Sequence, residues 1–242
     1  MSEQTRGSIT GQDALQDFLQ VVSHDLGEPL RQVISFGEIL EDEEHERLSE
    51  SGREYLHAMI GAGMRMRAML DGVLQLARVS SRAQPFAPCD LNHERDAALL
   101  FLESDIRRSQ ATLNLSPLPS VVGDALQMRQ LLRQLIENAI KFAKPGEPPV
   151  IRIAEQPSSD PAWIEWVVED EGIGIDPRYQ QVIFDVFQRL NASEAYPGVG
   201  VGLTICQRIC ERHGGQISAV GSEGQGLCMT VRLPQRAPPG AG

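Results

Sequence analysis

Two stretches in the first third of the chain carry apolar residues at alternating four- and three-residue steps. The first runs Leu15, Leu19, Val22, Leu26, Pro29, Val33, Phe36, Leu40, and the second Tyr55, Met59, Ala62, Met66, Met69, Val73, Leu76. This spacing keeps one helix face apolar, so it predicts two long amphipathic helices of the kind that pack on partner helices. The charged run Glu41 to Arg47 separates them, and Ser49 with Glu50 reads as the N-cap and first turn of the second. Two such helices joined by a short turn form a hairpin. Its apolar faces exceed what one hairpin can cover, which predicts a symmetric homodimer built as a four-helix bundle.

The pattern changes after a Pro-containing stretch, Ser80 to Asp90, which reads as a linker occupying 81–89. Helical signals then cover 91–110, 124–143, 178–190 and 202–213. Strand signals cover 150–153, 163–168, 216–220 and 227–233. The expected fold is two domains: an all-α hairpin over 12–80, and an α+β sandwich over 90–233 whose mixed sheet is covered by helices. Residues 1–11 and the Pro- and Gly-rich 234–242 read as flexible tails.

Composition narrows the classes. The chain has 242 residues, 41% of them apolar, and a net charge of −11 with pI near 4.9, which argues against nucleic acid or an anionic membrane surface as partner. No apolar run approaches the roughly 20 residues that span a bilayer, and the N-terminus lacks the apolar core of a signal peptide, so a cytoplasmic protein is expected. Cys89, Cys206, Cys210 and Cys228 form no C-x-x-C pair and read as free thiols, buried where they fall in apolar segments.

Candidate chemistry lies in three places. His24 stands between Val22 and Leu26 at roughly 200° of helical rotation from each, off the apolar stripe. Asp25 is adjacent and suited to take a proton from one ring nitrogen while the other attacks an electrophile. Pro29 supplies no amide hydrogen to the Asp25 carbonyl, so a bend or loosening is expected there. Downstream, Asp170 follows a strand and is succeeded by Gly172 and Gly174, an arrangement in which a carboxylate can accept from an exocyclic amine while the backbone approaches a flat ring. Gly198, Gly200, Gly202 and Leu203 open a helix, where free N–H groups can meet phosphates. Between these clusters, 176–197 reads as a lid. On the helix before them, Asn138 offers a neutral oxygen to Mg²⁺ and Lys141 a point charge to phosphate.

These residues resemble the sensor histidine kinases of two-component signalling, with an ATP-binding domain of the GHKL (Bergerat) type. His24 to Leu30 is similar to the H-box, Asn138 to Phe142 to the N-box, and Asp170 to Gly174 to the G1 box. Phe184 to Leu190 is similar to the F-box and Gly198 to Leu203 to the G2 box. The wording is most similar to kinase modules of phytochrome-like photoreceptors. The resemblance implies a protein-histidine kinase that takes ATP with Mg²⁺, phosphorylates His24 with Asp25 as general base, and passes the phosphoryl group to an aspartate of a response-regulator receiver domain. It further implies that Asn138 ligates Mg²⁺, Lys141 contacts phosphate, Asp170 contacts adenine, and Gly198, Gly200 and Gly202 act as lid hinges. Glu28 stands where phosphatase-competent members carry Thr or Asn, and Gln134 where many members carry a second Asn. No sensor domain precedes the hairpin, so either one was removed or a separate sensor protein is a further partner. The alternative is a pseudokinase scaffold that sequesters a partner without phosphotransfer.

Overall fold

The computed structural model describes residues 11–81, 84–190, 196 and 198–236, and the side chains at 21, 25–79, 84–190, 196 and 198–236. The chain divides into two compact units, Met1–Ser81 and Arg82–Gly242. The expected tail 1–11 and residues 237–242 lie outside the described residues, apart from Gly11, which opens the first helix.

The first unit is a helical hairpin of α1 (Gly11–Glu44) and α2 (Glu50–Ser81). α1 runs through Pro29 without a break. Ser49 caps α2, its hydroxyl accepting from the Gly52 amide at 3.1 Å. The Arg53 guanidinium closes the turn by donating to the carbonyls of His45 and Leu48 at 3.2 and 3.0 Å. The seam between the helices is not made by the two stripes read from the sequence. It is made by Ile34, Leu56 and Ile60, with Leu30 and Leu48 packed against them, and by two glycines. A Cβ on Gly37 would stand 2.7 Å from Ile60 Cγ1, and one on Gly63 2.8 Å from Ile34 Cγ1. The helices therefore approach more closely here than a larger residue permits. Most of the sequence stripe stays exposed: Leu26, Val33, Phe36 and Leu40 on α1, and Tyr55, Met59, Met66 and Met69 on α2.

The second unit begins earlier than the linker reading implies. Ala87–Asp90 is a strand, β1, paired antiparallel with β3 (Ser120–Gly123). Pro88 hides it in the sequence, since proline is tolerated only at such a sheet's edge positions. Asp90 then caps α3 (Leu91–Phe101), accepting from the Asn92 amide. The single helix expected over 91–110 breaks at Leu102 into α3 and α4 (Glu103–Ser109), and Gln110 closes α4 in a left-handed conformation, φ 56°. β2 (Thr112–Leu115) was not foreseen. α5 (Ala125–Lys141) starts from Asp124, whose carboxylate accepts from the amides of Leu126 and Gln127.

β4 (Val150–Gln156), β5 (Trp163–Asp170), β6 (Gln216–Gly221) and β7 (Leu227–Pro234) complete a five-stranded sheet of order β2-β4-β5-β7-β6. Only β2 and β4 are parallel, so the sheet is mixed. Alternation places Met229, Val231 and Leu233 of β7 and Trp166 and Val168 of β5 on one face, all buried. α5 and α6 (Gly202–Arg212) pack on the sheet and on each other, with α3 against α5. Pro234 belongs to β7 opposite Trp163, and the Gln235 amide donates to the Ala162 carbonyl, so the expected tail from 234 starts within the fold. Trp163 lies under the Arg232 guanidinium at 4.5 Å.

Candidate functional site

One end of the second unit holds a cavity of about 280 Å³ between the C-terminal half of α5, the end of β5 and the start of α6. Gln134, Asn138 and Lys141 line it from α5, one turn after another. Asp170 and Gly174 line it from the end of β5, and Gly198, Gly200, Gly202 and Leu203 from the glycine-rich loop. Glu137, about 100° around the helix from Asn138, also borders the cavity and is exposed. Gly172 does not face this cavity. It borders a smaller neighbouring one with Ala139 and Glu171.

Asp170 is held by the turn that follows it. Its carboxylate accepts from the Gly172 amide at 2.8 Å and from the backbone of Leu227, yet burial dominates and pushes its pKa up to about 6. A Cβ on Gly172 would stand 2.3 Å from the Phe142 carbonyl, so the turn lies directly against the end of α5. Gly174 sits at φ +63° with the Ser222 carbonyl only 1.9 Å from where a Cβ would be, a position closed to every other residue.

Lys141 is drawn down from its usual pKa by burial and by the charge of Arg189, against the opposing pull of Glu137. Its ammonium lies 4.6 Å over the Phe142 ring, and the Tyr196 ring packs on Phe142 at 5.3 Å. The Arg189 guanidinium donates to the Tyr196 carbonyl at 3.0 Å. Basic and aromatic groups thus share the wall facing the glycine loop.

The segment expected as a helix over 178–190 is instead two short 3₁₀ turns, Pro177–Tyr179 and Val182–Phe184. Asp185 is extended and Phe187 takes φ 62°, so no helix can propagate. The Phe187 amide donates to the Gly200 carbonyl, and the buried Thr204 hydroxyl donates to the Phe184 carbonyl, tying this segment to the glycine loop and α6. Of the expected lid, 191–195 and Pro197 lie outside the described residues.

Sequence reasoning missed Gly226, whose absent side chain makes room for the Asp170 carbonyl at 1.8 Å, and Leu227, whose backbone meets the Asp170 carboxylate. The only local signal was the turn composition of Ser222 to Gly226. In the hairpin, His24 lies on α1 with its side chain outside the described ones, and Asp25 follows it, exposed. Cys206 and Cys210 are buried in α6 and Cys89 in β1, while Cys228 is half-buried; burial pushes each thiol up, Cys89 to about 11.

The donor set suits Mg²⁺ held chiefly by a polyphosphate. Asn138 and Gln134 offer neutral oxygens beside the cavity, and among the described residues no group of three or more His, Cys, Asp or Glu is arranged to hold a metal by itself. No helix among the described residues is long and apolar enough to cross a membrane.

Residues 14–82 match the family model "His Kinase A (phospho-acceptor) domain", and residues 123–237 match "Histidine kinase-, DNA gyrase B-, and HSP90-like ATPase". The chain is 35% identical over 220 residues to the phytochrome-like protein Cph1 of Synechocystis sp., covering 91% of this chain and 29% of that protein. It is 36% identical over 222 residues to cyanobacterial phytochrome A of Nostoc sp., covering 91% and 28%. It thus spans less than a third of these relatives' lengths. Among solved structures, full-length ShkA in complex with AMPPNP is similar with a TM-score of 0.64 and 25% identity, covering 93% of this chain and 47% of that one. The mycobacterial sensor histidine kinase MprB is similar with a TM-score of 0.52 and 26% identity, covering 63% and 99%. With a phospho-acceptor hairpin followed by a GHKL-fold unit, the chain belongs to the two-component histidine kinases, whose catalytic core it carries.

Proposed function

We propose that the protein is an ATP-dependent protein-histidine kinase that phosphorylates His24 and passes the phosphoryl group to an aspartate of a response-regulator receiver domain. The observation that carries this reading is the joining, in one chain of the family, of a phospho-acceptor hairpin that bears His24 on α1 and a cavity suited to a nucleotide. Asp170 would accept from the adenine amine. Phe142 and Tyr196 offer apolar surface to the ring. Lys141 and the amides of the glycine loop would meet the phosphates; the similar structure of ShkA is a complex with AMPPNP. Asn138 would hold Mg²⁺, which when bound neutralises charge on the polyphosphate.

In the reaction the bond between the γ-phosphorus and its bridging oxygen breaks, a nitrogen–phosphorus bond forms on His24, and ADP leaves. The proton of the other ring nitrogen is free to pass to Asp25, one residue on. A phosphoramidate is stable to base and labile to acid, and incubation with γ-labelled ATP and Mg²⁺ tests for it. Wild type should take acid-labile, base-stable label and His24→Ala none; an unlabelled wild type that still binds nucleotide would sink the reading in favour of a scaffold. Asn138→Asp, which puts a negative charge beside the phosphates, should cost at least tenfold in labelling.

The homodimer follows from the hairpin's exposed stripe. On each helix the stripe is rotated about 100° from the seam, in the same sense along the chain. Because the helices are antiparallel, equal rotations bring both stripes to one side of the hairpin. By helical register position 24 falls on the opposite rotation, so dimerisation through that apolar side does not use its face of α1.

A further inference from the structure

The amides that would meet the phosphates lie at the start of α6, and no side chain caps them: Val201 occupies the N-cap position without a side-chain hydrogen bond. The bond from the Ile205 amide to the Val201 carbonyl at 2.9 Å opens the helix, so the amides before it have no partner inside it. Their aim depends on how the loop 198–202 and the first turn of α6 are held from outside. Two bonds to the preceding segment hold them. The Phe187 amide donates to the Gly200 carbonyl at 2.9 Å, and the Thr204 hydroxyl donates to the Phe184 carbonyl at 2.8 Å. Between these bonds Gly200, at φ +76°, lies so close that a Cβ would stand 2.5 Å from the Gln188 carbonyl.

A threonine in a helix ordinarily returns its hydroxyl to the carbonyl three or four residues back. Here those carbonyls already accept, Val201 from Ile205 and Gly200 from Phe187. The Phe184 carbonyl, for its part, lacks the donor that a helix would bring it. Gln188, four residues on, gives its amide to the Asp185 carbonyl at 3.2 Å, because Asp185 is extended and Phe187 takes φ 62°. The hydroxyl thus satisfies a carbonyl that its own segment leaves unserved. Thr204 is 4% exposed and Phe184 7%, and neither lines the nucleotide cavity. Their neighbours Leu203 and Ile183 do, as do Gln188 and Gly200. The bond therefore lies behind the cavity wall and ties its two sides together, while Asp170 at the other end is held by separate partners, the backbone of Gly172 and Leu227.

We infer that Thr204 is a positioning residue for the phosphates of the nucleotide: its hydroxyl fixes the start of α6 against residues 184–188 and so aims the loop amides, without touching the nucleotide itself. This rests on the nucleotide-binding part of the kinase reading above. Removing the hydroxyl leaves the buried Phe184 carbonyl unsatisfied, and the two segments shift to find it a partner. Bonds from the amides to a charged phosphate weaken steeply as they lose alignment. The expected loss is that of about one hydrogen bond to a charged group, roughly tenfold in affinity for a nucleotide that carries phosphates. The nucleoside alone, which does not reach the loop amides, loses nothing.

The test uses the full chain with Mg²⁺, as wild type, Thr204→Val and Thr204→Ser. Affinities for AMPPNP, ADP and adenosine are measured by calorimetry, or by ligand-observed NMR where binding is weak, well below each variant's melting temperature. Thr204→Val, which keeps the shape and removes the donor, should bind AMPPNP and ADP about tenfold more weakly and adenosine within twofold of wild type. Thr204→Ser, which keeps the hydroxyl, should restore both. Thr204→Ala carries the test where Thr204→Val fails to fold. A valine variant that binds AMPPNP as wild type does, or that loses AMPPNP and adenosine in equal proportion, overturns the inference, as does a serine variant as weak as the valine one. A wild-type chain that binds AMPPNP no more tightly than adenosine overturns the phosphate site, and the role of Thr204 with it. One that binds AMPPNP tightly yet takes no label from ATP on His24 overturns the kinase reading alone.

Discussion

Asp170 is a half-buried carboxyl that lines a nucleotide-sized cavity, and desolvation raises its pKa to about 6. As an acceptor toward an adenine amine it works best ionised, so affinity for ATP should be flat above pH 7 and fall as pH drops through about 6, approaching tenfold per unit. Titration of nucleotide binding by calorimetry checks this; a pH-independent affinity would remove Asp170 from adenine recognition. The same burial acts on stability with a definite sign. A carboxyl whose folded pKa is raised stabilises the fold at low pH and loses that contribution as pH rises from about 4 through about 6. Asp170→Asn should therefore melt higher than wild type at pH 8, by roughly 1–3 kcal/mol, with the gap closing by pH 4. Asp170 itself was legible because its turn glycines follow it in sequence. Gly226 and Leu227 were not, since they reach Asp170 only through the β5–β7 pairing, which leaves no local trace.

Among the elements, the hairpin shows why spacing alone is ambiguous. Each helix has two faces with four-three steps. The exposed one is rich in large apolar residues, whereas the seam contains Gly37 and Gly63, which contribute no apolar signal. Gly37→Val should press on Ile60 and lower hairpin stability by about 1–3 kcal/mol, read from thermal unfolding of helix. Phe36→Glu, on the exposed face, should leave helicity intact and dissociate the dimer, read by analytical ultracentrifugation; an unshifted sedimentation coefficient would mean the pairing uses another face. The error over 178–190 has a different origin. Its residues satisfy helical periodicity, but the Phe187 amide and Phe184 carbonyl are bonded to Gly200 and Thr204, so long-range partners replace the helical ladder.

At the scale of the whole molecule, the two-unit fold was legible because periodicity switches from helical to mixed in mid-chain. The joint was not, since β1 is short, contains Pro88 and is fixed by partners about 35 and 125 residues away. A half-buried ion pair sits in the second unit, where Glu94, its side chain 5% exposed, meets Arg129, 29% exposed, at 2.8 Å. Arg129→Ala should cost that unit about 3–5 kcal/mol by stranding the buried Glu94 carboxylate, and leave the hairpin's melting unchanged.

That independence can be watched without a label. Both tryptophans of the chain, Trp163 and Trp166, lie on β5, one beneath Arg232 and the other fully buried. The hairpin has none, yet its helices of 34 and 32 residues outweigh those of 11, 7, 17 and 11 in the other unit. Indole emission therefore follows the sheet-bearing unit alone, while far-ultraviolet dichroism is weighted toward the hairpin, so one heating experiment with two optical signals separates a lesion in the phospho-acceptor from one in the nucleotide binder.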